Sequence, residues 1–248
     1  MNVFKLVVVF LCIMFAVSFV ITAAMIVRQN VFDILINDNT NTLTSNVKYR
    51  DSQVIDNVPL REQEITCGYA IIEMAAQYFG YNAITEQSLY EENGKKITTS
   101  TNGGFYKEIK KQLPDYTITQ YDHLKNTEML DKIYDSLKNK MPVICTFAAQ
   151  DKKPDEDEDE RVSEEEREWT LHYGVIVGID IPNHTITIND PYGYTDTYTT
   201  KDFLAATKFE SYENMHFSIK LGFVFGLFSK NTIYIIENPE DIEVIEDS

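Results

Sequence analysis

The sequence predicts an α+β fold, in which a helical half precedes a half built from antiparallel strands, with one N-terminal transmembrane helix in front of both. Three observations predict it. Residues 6–27 contain no charged side chain. Apolar residues then recur mainly at helical spacing up to residue 139. After residue 140 the apolar runs are short, rich in β-branched side chains and separated by turn residues. Helices first and antiparallel strands later are typical of α+β domains.

The N-terminal segment has the length of a membrane-spanning helix. Its 22 consecutive uncharged positions, residues 6–27, are bracketed by Lys5 and Arg28. A bilayer core requires about 20 apolar residues, whereas a cleaved secretory signal usually has an apolar region of about 7–15. We therefore expect residues 1–28 to be a membrane anchor, with a signal peptide cleaved near residues 22–24 as the alternative.

The charges around this segment predict its orientation. Lys5 and the free amine lie on the short N-terminal side, and positive charge favours the cytoplasmic face. We expect a single-pass membrane protein whose folded domain is extracytoplasmic, or a secreted protein if the segment is cleaved.

Composition divides the rest of the chain into a linker and one domain. Residues 29–54 are rich in Asn, Thr, Asp and Ser, which favours a stalk or linker. Residues 55–248 have the length of a single domain. Within it, residues 151–168 contain 11 acidic and 4 basic side chains, so they contribute −7 to the chain's net charge of −17. Blocks of like charge are usually solvated, so we interpret 151–168 as an acidic insertion, with a cation-binding or substrate-repelling loop as the alternative.

The negative net charge of the chain also limits which classes of partner it can bind. The sequence pI is about 4.6, and no cluster of Lys and Arg offers a surface for phosphate groups. Nucleic acid is therefore not an expected partner.

Hydrophobic periodicity places the elements of the domain in order. Helices are predicted where apolar residues recur three or four positions apart, over 67–79, 105–113 and 127–139, with Gly80 and Pro114 as stops. Strands are predicted where apolar runs are short or alternate, over 116–121, 143–147, 173–179, 185–188 and 223–228. Turn residues at 182–183 and 191–193 separate the later strands.

Cys67 is the most informative of the three cysteines. It opens the helix 67–79 after a polar lead-in, residues 61–66. Backbone N–H groups at a helix N-terminus stabilise negative charge, which favours a thiolate there. Cys12 and Cys145 lie in apolar runs, and we interpret them as buried small hydrophobes. Three cysteines are too few for a disulfide framework, so Cys67 is left as a free thiol.

His172 and Asp190 complete a possible catalytic set. His172 lies 105 residues after Cys67 and begins an apolar run, and Asp190 follows 18 residues later at the end of another. Each residue alone has an ordinary structural interpretation, such as a core cysteine or an Asp-Pro turn. The joint order supplies a nucleophile, a base and a group that orients the base, which predicts a cysteine peptidase with its site between the two halves.

The remaining histidines do not suggest a metal site. His123, His184 and His216 lie in polar or turn contexts, without Cys or acidic neighbours at ligand spacing. We expect neither a metal nor a cofactor.

Three segments together resemble papain-like cysteine peptidases, in particular the bacteriocin-processing, double-glycine-leader peptidase family and its stand-alone relatives. They are Thr66-Cys67-Gly68 with its helix, residues 172–179 and residues 186–193. The resemblance covers about residues 55–195. It implies a papain-like fold with the active site in a cleft, a peptide or protein substrate, and Cys67, His172 and Asp190 as nucleophile, base and orienting residue.

The resemblance also implies an oxyanion-hole glutamine ahead of the nucleophile. Gln63 precedes Cys67 by four positions. In the family this glutamine more commonly lies about six positions before the nucleophile, where this chain has Arg61.

Two other functions fit the same pattern of Cys67, His172 and Asp190. One is transglutaminase-like acyl transfer or deamidation on the same triad, and the other is an inactive papain-like domain that serves as a binding module.

Overall fold

The computed structural model describes residues 3–36, 49, 51–94, 101–150 and 169–239, and every structural statement below refers to these ranges. The helices are α1 (Val3–Ile36), α2 (Cys67–Tyr78), α3 (Glu86–Asn93), α4 (Asn102–Gln112), α5 (Asn126–Lys138), α6 (Thr200–Thr207) and α7 (Phe217–Val224). The strands are β1 (Ser52–Val54), β2 (Thr117–Tyr121), β3 (Val143–Gln150), β4 (Trp169–Asp180), β5 (Thr185–Asp190), β6 (Tyr194–Thr199) and β7 (Ile233–Glu237).

All seven strands form one antiparallel sheet. Its order is β2-β7-β3-β4-β5-β6, and β1 pairs with the far end of β4. β7, the last strand along the described chain, therefore lies inside the sheet between β2 and β3. The α+β class with an antiparallel half, predicted from the sequence, is confirmed.

The core lies between the sheet and three of the helices predicted from the sequence. α2, α4 and α5 each carry apolar residues three or four positions apart, and these side chains are buried against the strands. Examples are Ile71, Met74, Phe105, Ile109, Met129, Ile133, Val143, Ile176 and Ile235. The ends agree with the predicted stops, since Gly80 follows α2 with a φ of +88°.

α1 is a continuous helix that extends beyond the predicted anchor boundary at residue 28. Its side chains are described at residues 7–21, 23 and 27, and the large apolar ones among them, such as Phe15 and Phe19, are exposed. Within the described part of the chain, no helix is both long enough and apolar enough to cross a membrane.

The sheet begins earlier than the predicted domain boundary at residue 55. Ser52–Val54 forms β1 and pairs with Gly178–Asp180 of β4, so the segment predicted as the end of the stalk contributes a short strand. The acidic insertion 151–168 and residues 240–248 lie outside the described residues.

The strand predicted over 223–228 is wrong. α7 covers Phe217–Val224, and a turn with Gly226 at a φ of +69° follows it. Phe217, Leu221 and Phe225 repeat every four residues and are exposed, whereas Phe223 is buried against Phe209. This spacing is helical, and the uniformly apolar sequence concealed it.

Candidate active site

Cys67 is the first residue of α2. Thr66 caps the helix, because its side-chain oxygen accepts a hydrogen bond from the N–H of Tyr69 at 3.2 Å. The thiol is partly exposed, while the residues that follow it are buried. The nucleophile predicted from the sequence therefore lies at a capped helix N-terminus, where backbone N–H groups favour negative charge.

His172 and Asp190 form a buried pair. The imidazole Nε2 lies 3.0 Å from Oδ1 of Asp190, and the two residues are 2% and 1% exposed. Antiparallel pairing of β4 with β5, in which Val175 faces Asn189, brings the two side chains together. The backbone N–H of Tyr192 donates to the same Oδ1 at 2.8 Å, which fixes the carboxylate.

Aromatic rings hold the imidazole from two directions. Tyr192 stacks on it with ring centroids 4.5 Å apart, and Phe147 meets it edge to face at 5.5 Å. Phe147 is also the cross-strand partner of His172 in the β3–β4 pair. Two residues further along β4, Gly174 leaves room for the Phe147 ring, since a Cβ at that position would lie 2.9 Å from Phe147 and 2.6 Å from Ile188.

The imidazole interacts with Cys67 as well as with Asp190. A carboxylate only accepts hydrogen bonds, so Nε2 is the donor toward Asp190 and Nδ1 remains for Cys67. Burial alone would lower the pKa of His172, but the hydrogen bonds with Asp190 and Cys67 outweigh burial and raise the pKa to about 9. The structure thus brings the three predicted residues together, with a histidine whose pKa is raised.

The lead-in before Cys67 pairs with the turn after Asp190. The N–H of Gln63 donates to the carbonyl of Pro191 at 2.6 Å, and Glu62 forms an isolated antiparallel bridge with Tyr192. Gly193 permits this contact, because its φ is +87° and a Cβ there would lie 3.1 Å from Glu62. Gln63 is therefore attached to the residues that follow Asp190.

The side chains of Gln63 and Arg61 differ in whether their hydrogen-bonding groups already have partners. The Oε1 atom of Gln63 is buried and has no hydrogen-bond partner among the described residues. Arg61 is engaged elsewhere, since Nε pairs with Glu73 at 3.0 Å and a terminal nitrogen donates to Gln77 at 2.6 Å. Of the two candidates for the oxyanion position, Gln63 is the one whose amide is not committed to α2.

The other two cysteines differ from each other. Cys145 is fully buried, as predicted, and its Sγ lies 3.7 Å from the carbonyl of Gly174. Burial, followed by the negative charge of Asp190, raises the pKa of the Cys145 thiol far above its usual range. Cys12 is exposed on α1, so the expectation that it is buried is wrong, because its side chain lies among the exposed apolar residues of α1 and outside the core.

Sequence reasoning found the reacting groups but missed the residues that hold them. Phe147 belongs to a predicted strand, yet only the register with β4 shows that it touches His172. Tyr192 follows the Asp-Pro pair directly in the sequence, but its stacking on the imidazole has no signal there. Such contacts depend on strand pairing, for which the sequence has no local signal.

The chain is similar to one family of known proteins and to solved structures. Residues 55–219 match the Peptidase_C39 like family. A crystal structure of a double glycine motif protease from an AMS/PCAT transporter, in complex with the leader peptide, is similar with 13% sequence identity and a TM-score of 0.40, covering 77% of this chain and 96% of that chain. No curated protein sequence matches.

Proposed function

The chain belongs to the peptidase C39-like family and is a cysteine-type peptidase, and from this premise we propose that it hydrolyses peptide bonds through Cys67, His172 and Asp190. The observation that carries the proposal is the buried pair of His172 and Asp190, whose imidazole also interacts with Cys67. Family membership agrees with the resemblance found in the sequence.

In the resting enzyme, we propose that Cys67 and His172 form a thiolate–imidazolium pair. The raised pKa of His172, about 9, keeps the imidazolium protonated at neutral pH. Oδ1 of Asp190 accepts a hydrogen bond from Nε2, with the two atoms 3.0 Å apart, and so holds the ring with Nδ1 toward the sulfur. The ring contacts with Tyr192 and Phe147 limit rotation out of this position.

The first half-reaction acylates the nucleophile. The Cys67 sulfur attacks the peptide carbonyl carbon, and the carbonyl oxygen takes the negative charge of the tetrahedral intermediate. The backbone N–H of Cys67 and the side-chain amide of Gln63 are the donors we propose for that oxygen. When the C–N bond breaks, Nδ1 of His172 gives its proton to the leaving amine, which leaves a thioester and a neutral imidazole.

The second half-reaction reverses these roles. Neutral His172 takes a proton from a water molecule, and the resulting hydroxide attacks the thioester carbonyl. The C–S bond breaks, the acid product leaves, and the sulfur returns as a thiolate beside the imidazolium. Asp190 accepts the Nε2 hydrogen bond throughout and is not itself protonated.

We further propose that residues 6–27 anchor the enzyme in a membrane, with the peptidase domain outside the cytoplasm. The support is the run of 22 uncharged residues, together with exposed apolar side chains on α1 such as Phe15 and Phe19. A contiguous apolar surface of this kind is unfavourable in water. Retention of the full chain in the membrane fraction after alkaline carbonate washing tests the anchor, and release into the supernatant would contradict it.

The experiment that tests the active site is alkylation of the full chain by iodoacetamide as a function of pH, in a Cys12→Ala background. Burial keeps Cys145 unreactive, so Cys67 is the thiol that responds. We expect rapid alkylation at pH 6 that is lost in His172→Ala, since the imidazolium stabilises the thiolate. Equal rates at pH 6 in both proteins would contradict the proposed pair.

A further inference from the structure

We propose that Glu86 is a positioning residue for the oxyanion side of the active site, acting on the backbone of residues 64–66. The inference rests on the proposed function, because it assigns a role to a side chain that supports the same site. Glu86 is the first residue of α3 and lies 19 positions after Cys67 in the sequence.

The carboxylate of Glu86 binds three consecutive backbone N–H groups. Its Oε2 accepts from Glu64 at 2.7 Å, and its Oε1 accepts from Ile65 at 2.7 Å and from Thr66 at 2.5 Å. The side chain is buried, with the whole residue 6% exposed. Consecutive N–H groups that converge on one anion form a concave arrangement, so the carboxylate fixes the path of the backbone through all three residues.

These three residues connect the two groups on which the oxyanion depends. Gln63 comes directly before them and Cys67 directly after them. Residues 64–66 lie outside helices and strands, so their N–H groups have no partners in secondary structure. Glu86 supplies those partners, and it thereby sets how far the Gln63 amide lies from the N–H of Cys67.

Glu86 is itself attached to the helix that carries the nucleophile. Its backbone N–H donates to Oε2 of Glu73 at 2.7 Å, and Glu73 belongs to α2. The other oxygen of Glu73 accepts from Arg61 and Gln77, each at 3.0 Å. Thr85 and Ser88 form a reciprocal capping box around the same helix start. The lead-in, α2 and the beginning of α3 are therefore one hydrogen-bonded unit around Cys67.

Two reactions of Cys67 separate this role from general support of the fold. With iodoacetamide, the sulfur forms a bond to carbon as iodide leaves, and no oxyanion develops. With p-nitrophenyl acetate, the sulfur attacks the acetyl carbonyl, an oxyanion forms, and p-nitrophenolate leaves with the bonding electron pair. Only the second reaction uses the oxyanion donors. At pH 6 the thiol of an unfolded chain is almost wholly protonated and reacts slowly with both reagents, so the ratio of the two rates cancels most of any loss of the folded fraction.

The test compares Glu86→Gln with Glu108→Gln in the full chain, both in the Cys12→Ala background. Glu108 is a matched control, because it is also a buried carboxylate, 5% exposed, but its hydrogen bonds come from side chains outside the active site. It accepts from Asn93 at 3.1 Å and from Gln112 at 2.8 Å. In Glu86→Gln the new amide group would point a donor at a donor. We expect the ratio of acylation to alkylation to fall about 10- to 100-fold, within the cost of a lost oxyanion donor of about 10²–10³. In Glu108→Gln it should not change.

A second variant keeps the inference testable if Glu86→Gln does not fold. Glu86→Asp retains the charge but is shorter by one methylene group, so it should lower the same ratio by a smaller factor. An unchanged ratio in both Glu86 variants, or an equal fall in both reactions, would overturn the role of Glu86 alone. If the wild type is acylated no faster than Cys67→Ala, the proposed function fails and the role of Glu86 falls with it.

Discussion

The two walls of the active site are held by different kinds of interaction. On the helical side, Cys67 is partly exposed, and its lead-in is held by backbone hydrogen bonds to the carboxylate of Glu86. On the sheet side, His172 and Asp190 are almost fully buried and are held by strand pairing and ring packing. This difference predicts which property a substitution on each side should change. Changes at the partly exposed Cys67 should alter rates alone, whereas changes to the buried groups, Glu86 on the helical side and the packing around His172 on the sheet side, should also alter the free energy of unfolding.

The largest effect should come from removing the imidazole. We expect His172→Ala to lower turnover of a peptide substrate by about 10²–10⁴-fold, the usual contribution of proton transfer. Asp190→Asn should lose less, because its amide oxygen can still accept from Nε2. Steady-state kinetics on both variants would measure this order, and a larger loss in Asp190→Asn would show that the charge of Asp190, and not its hydrogen bond, controls the site.

The protonation of His172 should make the sheet side sensitive to pH. The pKa of His172 is about 9 in the folded protein, against an ordinary value of 6.5. A raised pKa means that protonation stabilises the fold, so this contribution is complete below about pH 6.5 and is lost as the pH rises through about 9. In the proposed pair the deprotonated Cys67 has the opposite pH dependence below about pH 8.5, the ordinary value for an unfolded cysteine, so we expect the free energy of unfolding, measured with urea, to fall mainly above about pH 8.5 and by about 1 kcal/mol.

The matching control is the same titration in His172→Ala. Its free energy of unfolding should vary less above about pH 8.5, because the group that carries the change is absent. Parallel curves for wild type and variant would mean that other groups cause the pH dependence.

Gly174 offers a sharper test of packing on the sheet side. A methyl group at this position would lie 2.6 Å from Ile188 and 2.9 Å from Phe147, so Gly174→Ala should cost about 1–3 kcal/mol and displace the ring against His172. Gly103→Ala is the control, because Gly103 is in α4 with open space around it and should gain about 0.5–1 kcal/mol. Equal stabilities of the two variants in urea unfolding would contradict the tight packing around His172.

The smallest effect concerns the junction between the two walls. Gly193 and Gly80 have φ values of +87° and +88°, so alanine should strain both by about 1–2 kcal/mol. Only at Gly193 would the new methyl group also press on Glu62, at 3.1 Å, whereas Gly80 has nothing within 4 Å. We expect Gly193→Ala to lower turnover several-fold and Gly80→Ala to leave it unchanged. Equal turnover in the two variants would show that the bridge between the walls does not affect the site.

The reacting groups could be predicted from the sequence because their chemistry is tied to local patterns. Cys67 opens an amphipathic helix, His172 lies in an apolar strand and Asp190 ends the next strand, so helix and strand patterns, together with the order of the three residues, pointed to them. Glu86 could not be found in this way. It looks like an ordinary acidic residue in the first turn of a short helix, and only the approach of α3 to the lead-in gives its carboxylate three N–H partners.

The same reasoning explains the errors in the fold. α7 is mostly apolar, with Ser218 and Lys220 as its polar side chains, so periodicity alone does not separate a helix from a strand there, and it is the packing of Phe223 against Phe209 that fixes the helix. β1 is only three residues long, and its pairing with β4 spans more than a hundred residues of sequence. Short elements that depend on distant partners have no signature of their own in the chain.

The position of β7 sets the order of events during synthesis. Cys67, His172 and Asp190 have all been added to the chain by residue 190, but the strand that fills the gap between β2 and β3 is not made until residues 233–237. β3 pairs with β7 along one edge and with the strand of His172 along the other. A nascent chain on the ribosome therefore carries every reacting group before it can complete the sheet that holds His172 and Asp190.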